Sequence, residues 1–355
     1  MEKKKVLVLF GGQSSEHEVS RVSASNVAEN MDENKYDVIT LGITKDGRWL
    51  LYKGDTEAMR DGKWENDARN EPFFLSPDAT IGGIISTNGT IIPIDVVFPV
   101  LHGRFGEDGT VQGLLELARI AYVGCPVAAS AIGMDKMFSK VVFDWAGIAQ
   151  AKWTWLLKYE IEKNLEECVR KIEAKFAYPI FVKPANAGSS VGITKANDGP
   201  SLQKALKIAA EHDEKIIIEE AIAGREIECA VIGNEEPFAS PCAEIFPGKE
   251  FYDYEAKYQS TGSKTKVPAD LPKELQDKIR VMACRVYSLL GCKGMSRVDF
   301  FVRGEDVLVN EINTIPGFTA ISMYPMMMQE AKIPYGQLID ELINYALLAS
   351  GGAEK

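Results

Sequence analysis

Apolar residues along the chain fall into two alternating rhythms. From Lys5 to Phe10 the sequence is an almost unbroken apolar run that stops at Gly11-Gly12, the pattern of a parallel strand buried on both faces. A helix is expected from about Glu18 to Asn30, with further strands at Val38–Ile43 and Val96–Leu101. Strands alternating with helices predict an α/β unit of Rossmann-like type. No G-x-G-x-x-G fingerprint follows the first strand, so no dinucleotide site is predicted. Residues 45–93 are polar, with Gly and Asp, and read as hairpins and surface loops.

A second unit begins near Met134. Its strand Tyr178–Pro184 ends in Lys183-Pro184 and opens into a Gly/Ser loop at 187–192. A helix at about Leu202–Glu211 and a strand at Lys215–Glu219 follow, and a third unit starts near Gly224. No repeat or low-complexity tract interrupts the chain, and Gln259–Lys266 reads as a Ser/Thr/Lys-rich loop.

The third unit carries the most telling alternation. Arg297–Val302 and Val307–Asn313 are strand-like runs around Gly304-Glu305-Asp306. A three-residue hairpin loop sets Asp299 opposite Glu311 and Arg297 opposite Asn313, all on one face. Val298, Phe300, Leu308 and Ile312 then point to a core. Opposed carboxylates repel unless neutralised. Two readings stay open: a solvated face with Arg297 as ion-pair partner, or an oxygen-rich site for Mg²⁺ bridging phosphates. The following Thr314-Ile315-Pro316-Gly317-Phe318-Thr319 adds a turn whose backbone N–H groups can receive an anion.

Lys183, delivered by a strand to a Gly/Ser loop, suits a phosphate cradle or an ordinary exposed turn, and its spacing is not that of a Walker A motif. Ile216–Ile222 offers either backbone groups for a purine edge or a buried strand with an acidic end. Lys136 is equally ambiguous.

Composition narrows the class. With 355 residues, two or three domains are expected. Forty Lys+Arg against 51 Asp+Glu give a net charge of −11, which argues against nucleic acid or a membrane surface as partner. The apolar run after Lys3-Lys4-Lys5 is too short for a signal peptide, and no stretch reaches transmembrane length. The six cysteines are dispersed without a CxxC, pointing to reduced thiols in a cytoplasmic protein rather than disulfides or zinc.

In this order the pieces resemble the ATP-grasp superfamily, and within it the D-alanine–D-alanine ligase family. Gly11-Gly12-Gln13-Ser14-Ser15-Glu16-His17-Glu18-Val19-Ser20 and Leu101-His102-Gly103-Arg104-Phe105-Gly106-Glu107-Asp108-Gly109-Thr110 are similar to that family's first signature. The run from Gly294 through Arg297, Asp299, Glu311, Asn313 and Pro316-Gly317-Phe318-Thr319 is similar to its second. The resemblance spans about residues 5–345.

It implies a three-domain α/β ATP-grasp fold. A Rossmann-like domain would span 1–135, a central subdomain 136–222, and a C-terminal subdomain 223–355 with the metal site and a lid. Lys136 and Lys183 would hold ATP phosphates. Glu219, Glu220 and Ile222 would line the adenine, with Glu226 at the ribose. Asp299, Glu311 and Asn313 would bind two Mg²⁺, with Mn²⁺ able to substitute. Glu16 would take the first substrate's ammonium, and His102 would lie near the reacting carboxylate. Ser322 and Met323 would meet the second substrate's carboxylate, and Arg297 and the Gly317 N–H would stabilise the oxyanion. In a lid at Phe251–Tyr258, Lys257 would reach the γ-phosphate and Tyr258 would bond Ser189, which bonds Glu16.

The activity implied is joining of two D-alanines through an acyl phosphate, for peptidoglycan precursors, by a homodimer. Competing readings are a D-alanine–D-serine or D-alanine–D-lactate ligase, a glutathione-synthetase-type ligase, and a nucleotide-binding protein without turnover. The lid tyrosine disfavours lactate, apolar Met323 favours D-alanine over D-serine, and an intact metal triad argues against the non-catalytic reading.

Overall fold

The computed structural model describes residues 2–188, 191–246 and 264–351. Their strands form three sheets. The first contains β1 (Lys4–Gly11), β2 (Tyr36–Ile43), β3 (Trp49–Tyr52), β4 (Glu71–Leu75), β5 (Gly83–Ser86), β6 (Ile91–Pro93), β7 (Val96–Val100) and β8 (Ala121–Tyr122). Its order is β6-β5-β4-β3-β2-β1-β7-β8. β1 is parallel to β2 and β7, as its two-sided burial demands. Val6, Val8 and Phe10 join one core and Leu7 and Leu9 another, because successive side chains leave opposite faces.

Residues 45–93 form antiparallel hairpins, as expected, and correct only the expectation of surface loops, since these hairpins belong to the first sheet. They supply β3 to β6, which extend the parallel sheet in antiparallel fashion. Short strands separated by polar turns have too little periodicity to be read as a sheet. Trp64 from this segment is fully buried against Phe10, with ring centroids 4.7 Å apart.

The second sheet contains β9 (Trp153–Leu157), β10 (Ile180–Pro184), β11 (Thr194–Ala196) and β12 (Lys215–Glu220), ordered β11-β10-β12-β9. Ile180, Val182, Ile216 and Ile218 pack under helices Leu165–Glu173 and Gly199–His212. Each contributes roughly 1.5–3 kcal/mol by burial. Alternation then puts Lys183, Ile217 and Glu219 on the opposite face, toward the third sheet.

That sheet contains β13 (Arg225–Gly233), β14 (Phe238–Ala239), β15 (Ala243–Phe246), β16 (Lys264–Lys266), β17 (Gly294–Arg303) and β18 (Asp306–Asn313). Its order is β16-β15-β13-β17-β18, with β14 paired to β13. Helix Lys273–Leu289 covers one face through Ile279, Ala283, Val286 and Tyr287. The last helix, Tyr335–Ala349, returns to the first sheet: Leu338, Ile339, Leu342 and Ile343 share a core with Val6, Val8 and Phe98. Among the described residues no helix is long and apolar enough to cross a membrane.

Candidate active site

The β17–β18 hairpin pairs Asp299 with Glu311 and Arg297 with Asn313, as expected, by a different route. Arg303 pairs with Asp306, so the loop is the two residues Gly304-Glu305 rather than three. Gly304 has φ 61°, suited to the first central position of a II′ turn. The register then shifts between Asp299 and Phe300, where Asn310 is the extra residue of a β-bulge. One residue fewer in the turn and one more in the strand cancel at the acidic pair. Between them the faces are exchanged: Val307 and Val309 enter the core, and Leu308 lies opposite Phe301 on the site face. The expectation that Leu308 points to the core is thereby corrected.

β13 completes this face. Glu228 pairs with Asp299, Ala230 with Arg297 and Glu226 with Phe301, so Glu228, Asp299 and Glu311 form a row across three strands. Arg297 donates from Nε to Asp299 Oδ1 and from Nη2 to Oδ2, both at 2.7 Å. Its Nε lies 3.2 Å from Glu228 Oε2, and Asn313 Nδ2 donates to Asp299 Oδ2 at 3.1 Å. Burial opposes charge on Arg297, but Asp299 and Glu228 hold its guanidinium well above the usual range. Sequence reasoning missed Glu228. Alternation in Arg225–Gly233 places it on the same face as Glu226, but nothing in the sequence sets β13 beside β17.

Among the described residues no three His, Cys, Asp or Glu gather to hold a metal unaided. Asp299, Glu311 and Asn313 supply two carboxylates and an amide on one face, hard oxygen donors suited to a divalent cation whose remaining ligands are phosphate oxygens. The donor set therefore fits the metal the sequence implies.

The second sheet brings cations to this row. Lys136 opens helix Lys136–Trp145, whose N-cap Asp135 accepts the Met137 and Phe138 N–H groups. Lys136 Nζ donates to Ala187 O at 2.9 Å and lies 3.5 Å from Glu311 Oε2. Lys183 Nζ is 2.5 Å from Glu219 Oε2 and 3.5 Å from Asn310 Oδ1. Lys140, a helical turn after Lys136, is 2% exposed and ion-pairs with the other Glu219 oxygen. Burial would raise the Glu219 carboxyl, but Lys140 and Lys183 outweigh it and push it down to about 2. Lys140 was not singled out from sequence, although its i,i+4 spacing from Lys136 was a usable signal.

Glu219 is thus buried between two lysines. Glu220 Oε1 accepts the Lys152 N–H at 2.8 Å, and Ile222 is partly buried.

Loops of the first sheet close the site. The carboxylate of Glu16 lies between two glycines. A Cβ on Gly188 would meet its Oε2 at 2.7 Å, and one on Gly103 at 2.8 Å. Both ring nitrogens of His102 are engaged: Nδ1 is 3.1 Å from Ile315 O, and Nε2 is 3.3 Å from Ser23 Oγ. Ile315 O can only accept, so Nδ1 carries the proton, and burial lowers the ring's pKa against the pull of Glu16. Glu107 accepts the Gly103 N–H at 2.6 Å and the Ile315 N–H at 3.2 Å. Burial and the charge of Glu16 push its carboxyl up to about 8. Ser322 Oγ accepts the Thr319 N–H at 3.0 Å, and a Cβ on Gly317 would meet that Oγ at 2.9 Å. Met323 follows, buried at the start of helix Met323–Glu330.

A cavity of about 150 Å³ collects Glu16, His102, Lys136, Arg297, Glu311, Asn313, Gly317, Ser322 and Met323. The sites expected at Ser189, Lys257 and Tyr258 lie outside the described residues.

Residues 5–125 match the family model described as D-ala D-ala ligase N-terminus, and residues 142–344 match D-ala D-ala ligase C-terminus. The chain is 52% identical to the D-alanine–D-alanine ligase of Acetivibrio thermocellus, covering 98% of this chain and 96% of that relative. It is 53% identical to that of Caldicellulosiruptor bescii, with the same coverage. Among solved structures, the VanG D-Ala:D-Ser ligase of Enterococcus faecalis aligns with TM-score 0.90 and 42% identity, over 97% of this chain and 100% of its own. The D-alanine–D-alanine ligase of Coxiella burnetii aligns with TM-score 0.86 and 34% identity, over 99% and 97%.

Proposed function

The chain belongs to the D-alanine–D-alanine ligase family, a family of ATP-dependent ligases, and we propose that it joins two D-alanines to make the dipeptide for peptidoglycan precursors. The observation that carries this reading is the shared cavity, where Glu16, Arg297, Glu311, Asn313 and the Gly317 loop converge, with Asp299 paired to Glu311 beside it.

A carboxylate resists attack by an amine, and phosphorylation turns one of its oxygens into a leaving group. Glu16 holds the ammonium of the first D-alanine, beside the Ala187-Gly188 loop. The carboxylate of that D-alanine attacks the γ-phosphate of ATP, giving a D-alanyl phosphate and ADP. Lys136 and Lys183 draw the phosphates in by charge. Glu219, Glu220 and Ile222 lie at the adenine and Glu226 at the ribose.

Asp299, Glu311 and Asn313 would hold divalent metal, two Mg²⁺ with Mn²⁺ able to substitute, which offsets phosphate charge when bound. The second D-alanine, its carboxylate at Ser322 and Met323, gives its ammonium proton to solvent on entry, and its free amine attacks the acyl carbon. Arg297 and the Gly317 N–H receive the developing oxyanion, and phosphate leaves. His102, occupied at both nitrogens, orients the loop beside the reacting carboxylate rather than moving a proton. The three units 1–135, 136–222 and 223–355, a homodimer and a cytoplasmic location complete the proposal.

The likeness to a D-Ala:D-Ser ligase favours a second reading, with D-serine as second substrate. A pocket discriminates one added hydroxyl poorly. The higher identity to D-alanine–D-alanine ligases and apolar Met323 weigh toward D-alanine. Incubation with ATP, Mg²⁺ and D-alanine, with D-serine or D-lactate as competitor, should yield D-alanyl-D-alanine, ADP and phosphate. A predominant mixed product, or no phosphate release dependent on D-alanine, overturns the assignment.

A further inference from the structure

The segment between β18 and helix Met323–Glu330 is held mainly by the first sheet's connections rather than by its own unit. Ile315 gives its C=O to His102 and its N–H to Glu107. Three residues on, the Phe318 N–H donates to Ser23 Oγ at 3.3 Å. The Phe318 C=O accepts from Tyr335 Oη at 2.6 Å, and its ring lies between Phe98 and Tyr324. Pro316 and Gly317 are therefore suspended between two pinned residues. The N–H of Gly317 has no acceptor among the described residues, so it stays available to an incoming anion.

The bonds form a chain with one direction. The Phe318 N–H donates to Ser23 Oγ, whose hydroxyl proton is then directed to His102 Nε2. His102 Nδ1–H donates to the Ile315 carbonyl. Each donor finds one acceptor when the imidazole is neutral. Ser23 sits fully buried on helix α1 (His17–Asn30), without exposure to the cavity. It links the two ends of the suspended dipeptide, directly at Phe318 and through His102 at Ile315.

We infer that Ser23 is a positioning residue for the oxyanion site: through Phe318 and His102 it fixes where the Gly317 N–H points. This rests on the proposed peptide-forming reaction, in which that N–H meets the tetrahedral oxyanion. A donor tuned to the transition state loses effect when it shifts by a fraction of an ångström. ATP, held by the lysines and the metal row, does not depend on this loop.

The test compares wild type with Ser23→Ala and Ser23→Cys, the second keeping a weak donor and acceptor. Expected are a loss of about ten- to a hundredfold in kcat for dipeptide in Ser23→Ala, an unchanged KM for ATP, and a smaller loss in Ser23→Cys. Amide hydrogen exchange without substrates should show protection at Phe318 falling roughly tenfold in Ser23→Ala, with the α1 core unchanged. Wild-type kcat in Ser23→Ala, or a loss equal in both variants with uniform loss of protection, overturns the inference. If wild type forms no dipeptide, the ligase reading fails, while exchange at Phe318 still decides whether Ser23 clamps the loop.

Discussion

Arg297 grips both oxygens of Asp299, with Nε and Nη2 each 2.7 Å from its partner. The cation assigned to the oxyanion and a carboxylate assigned to metal are therefore paired with one another. If Asp299 serves as a metal ligand, Glu228, 3.2 Å from Arg297 Nε, is a second anion placed to hold the guanidinium. Glu228→Gln keeps the shape and removes the charge. Dipeptide kcat should fall about tenfold, with nucleotide affinity unchanged by calorimetry. Full kcat would mean that Arg297 needs no second anchor.

Glu311 faces Asp299 across the hairpin and contacts Lys136. Glu311→Gln should lower turnover by about a hundredfold or more, while circular dichroism and oligomeric state stay as in wild type. Wild-type turnover at saturating Mg-ATP would remove Glu311 from the metal site.

Glu219 is neutralised by two buried lysines, and Lys140 has no access to the cavity's ligands. Lys140→Met should destabilise the fold by about 1–3 kcal/mol, less than a lone buried charge because Lys183 remains. The folded carboxyl lies near 2, below its ordinary 4.5. Its contribution is complete above about 4.5 and disappears as pH falls toward 2. Urea unfolding should show the wild-type advantage at pH 7 shrinking by pH 3; a constant gap would contradict the ion-pair origin.

Gly188 makes room for Glu16. In Gly188→Ala the new Cβ meets a carboxylate at the end of a flexible side chain, so the protein folds and Glu16 moves aside. KM for the first D-alanine should rise about tenfold, with KM for ATP within twofold. An unchanged D-alanine KM would place the ammonium elsewhere.

Much of this was legible in sequence because alternation is local. β1, β2, β7, β10 and β12 were found within a few residues, and the pairing of Asp299 with Glu311 was foreseen. The intervening hairpin was misread, since turn length and bulge position depend on backbone geometry that side-chain type does not encode. Gly304 gave one clue to a two-residue turn; Asn310 gave none to a bulge. Glu228, Lys140 and Ser23 escaped for a different reason. Each gains its meaning from a neighbour 71, 79 and 295 residues away in the chain, and only the packing of sheets against one another supplies that neighbour.

The last helix lies on the first sheet, and this has a consequence for how the protein is made. Val6, Val8 and Phe98 leave the ribosome long before Leu338, Ile339, Leu342 and Ile343, with which they share a core. Until then one apolar face of the first sheet lacks part of its cover, and the nascent chain must be kept from self-association. A chain cut before Tyr335 would retain every residue of the proposed site and yet leave the core around Val6, Val8 and Phe98 without that cover.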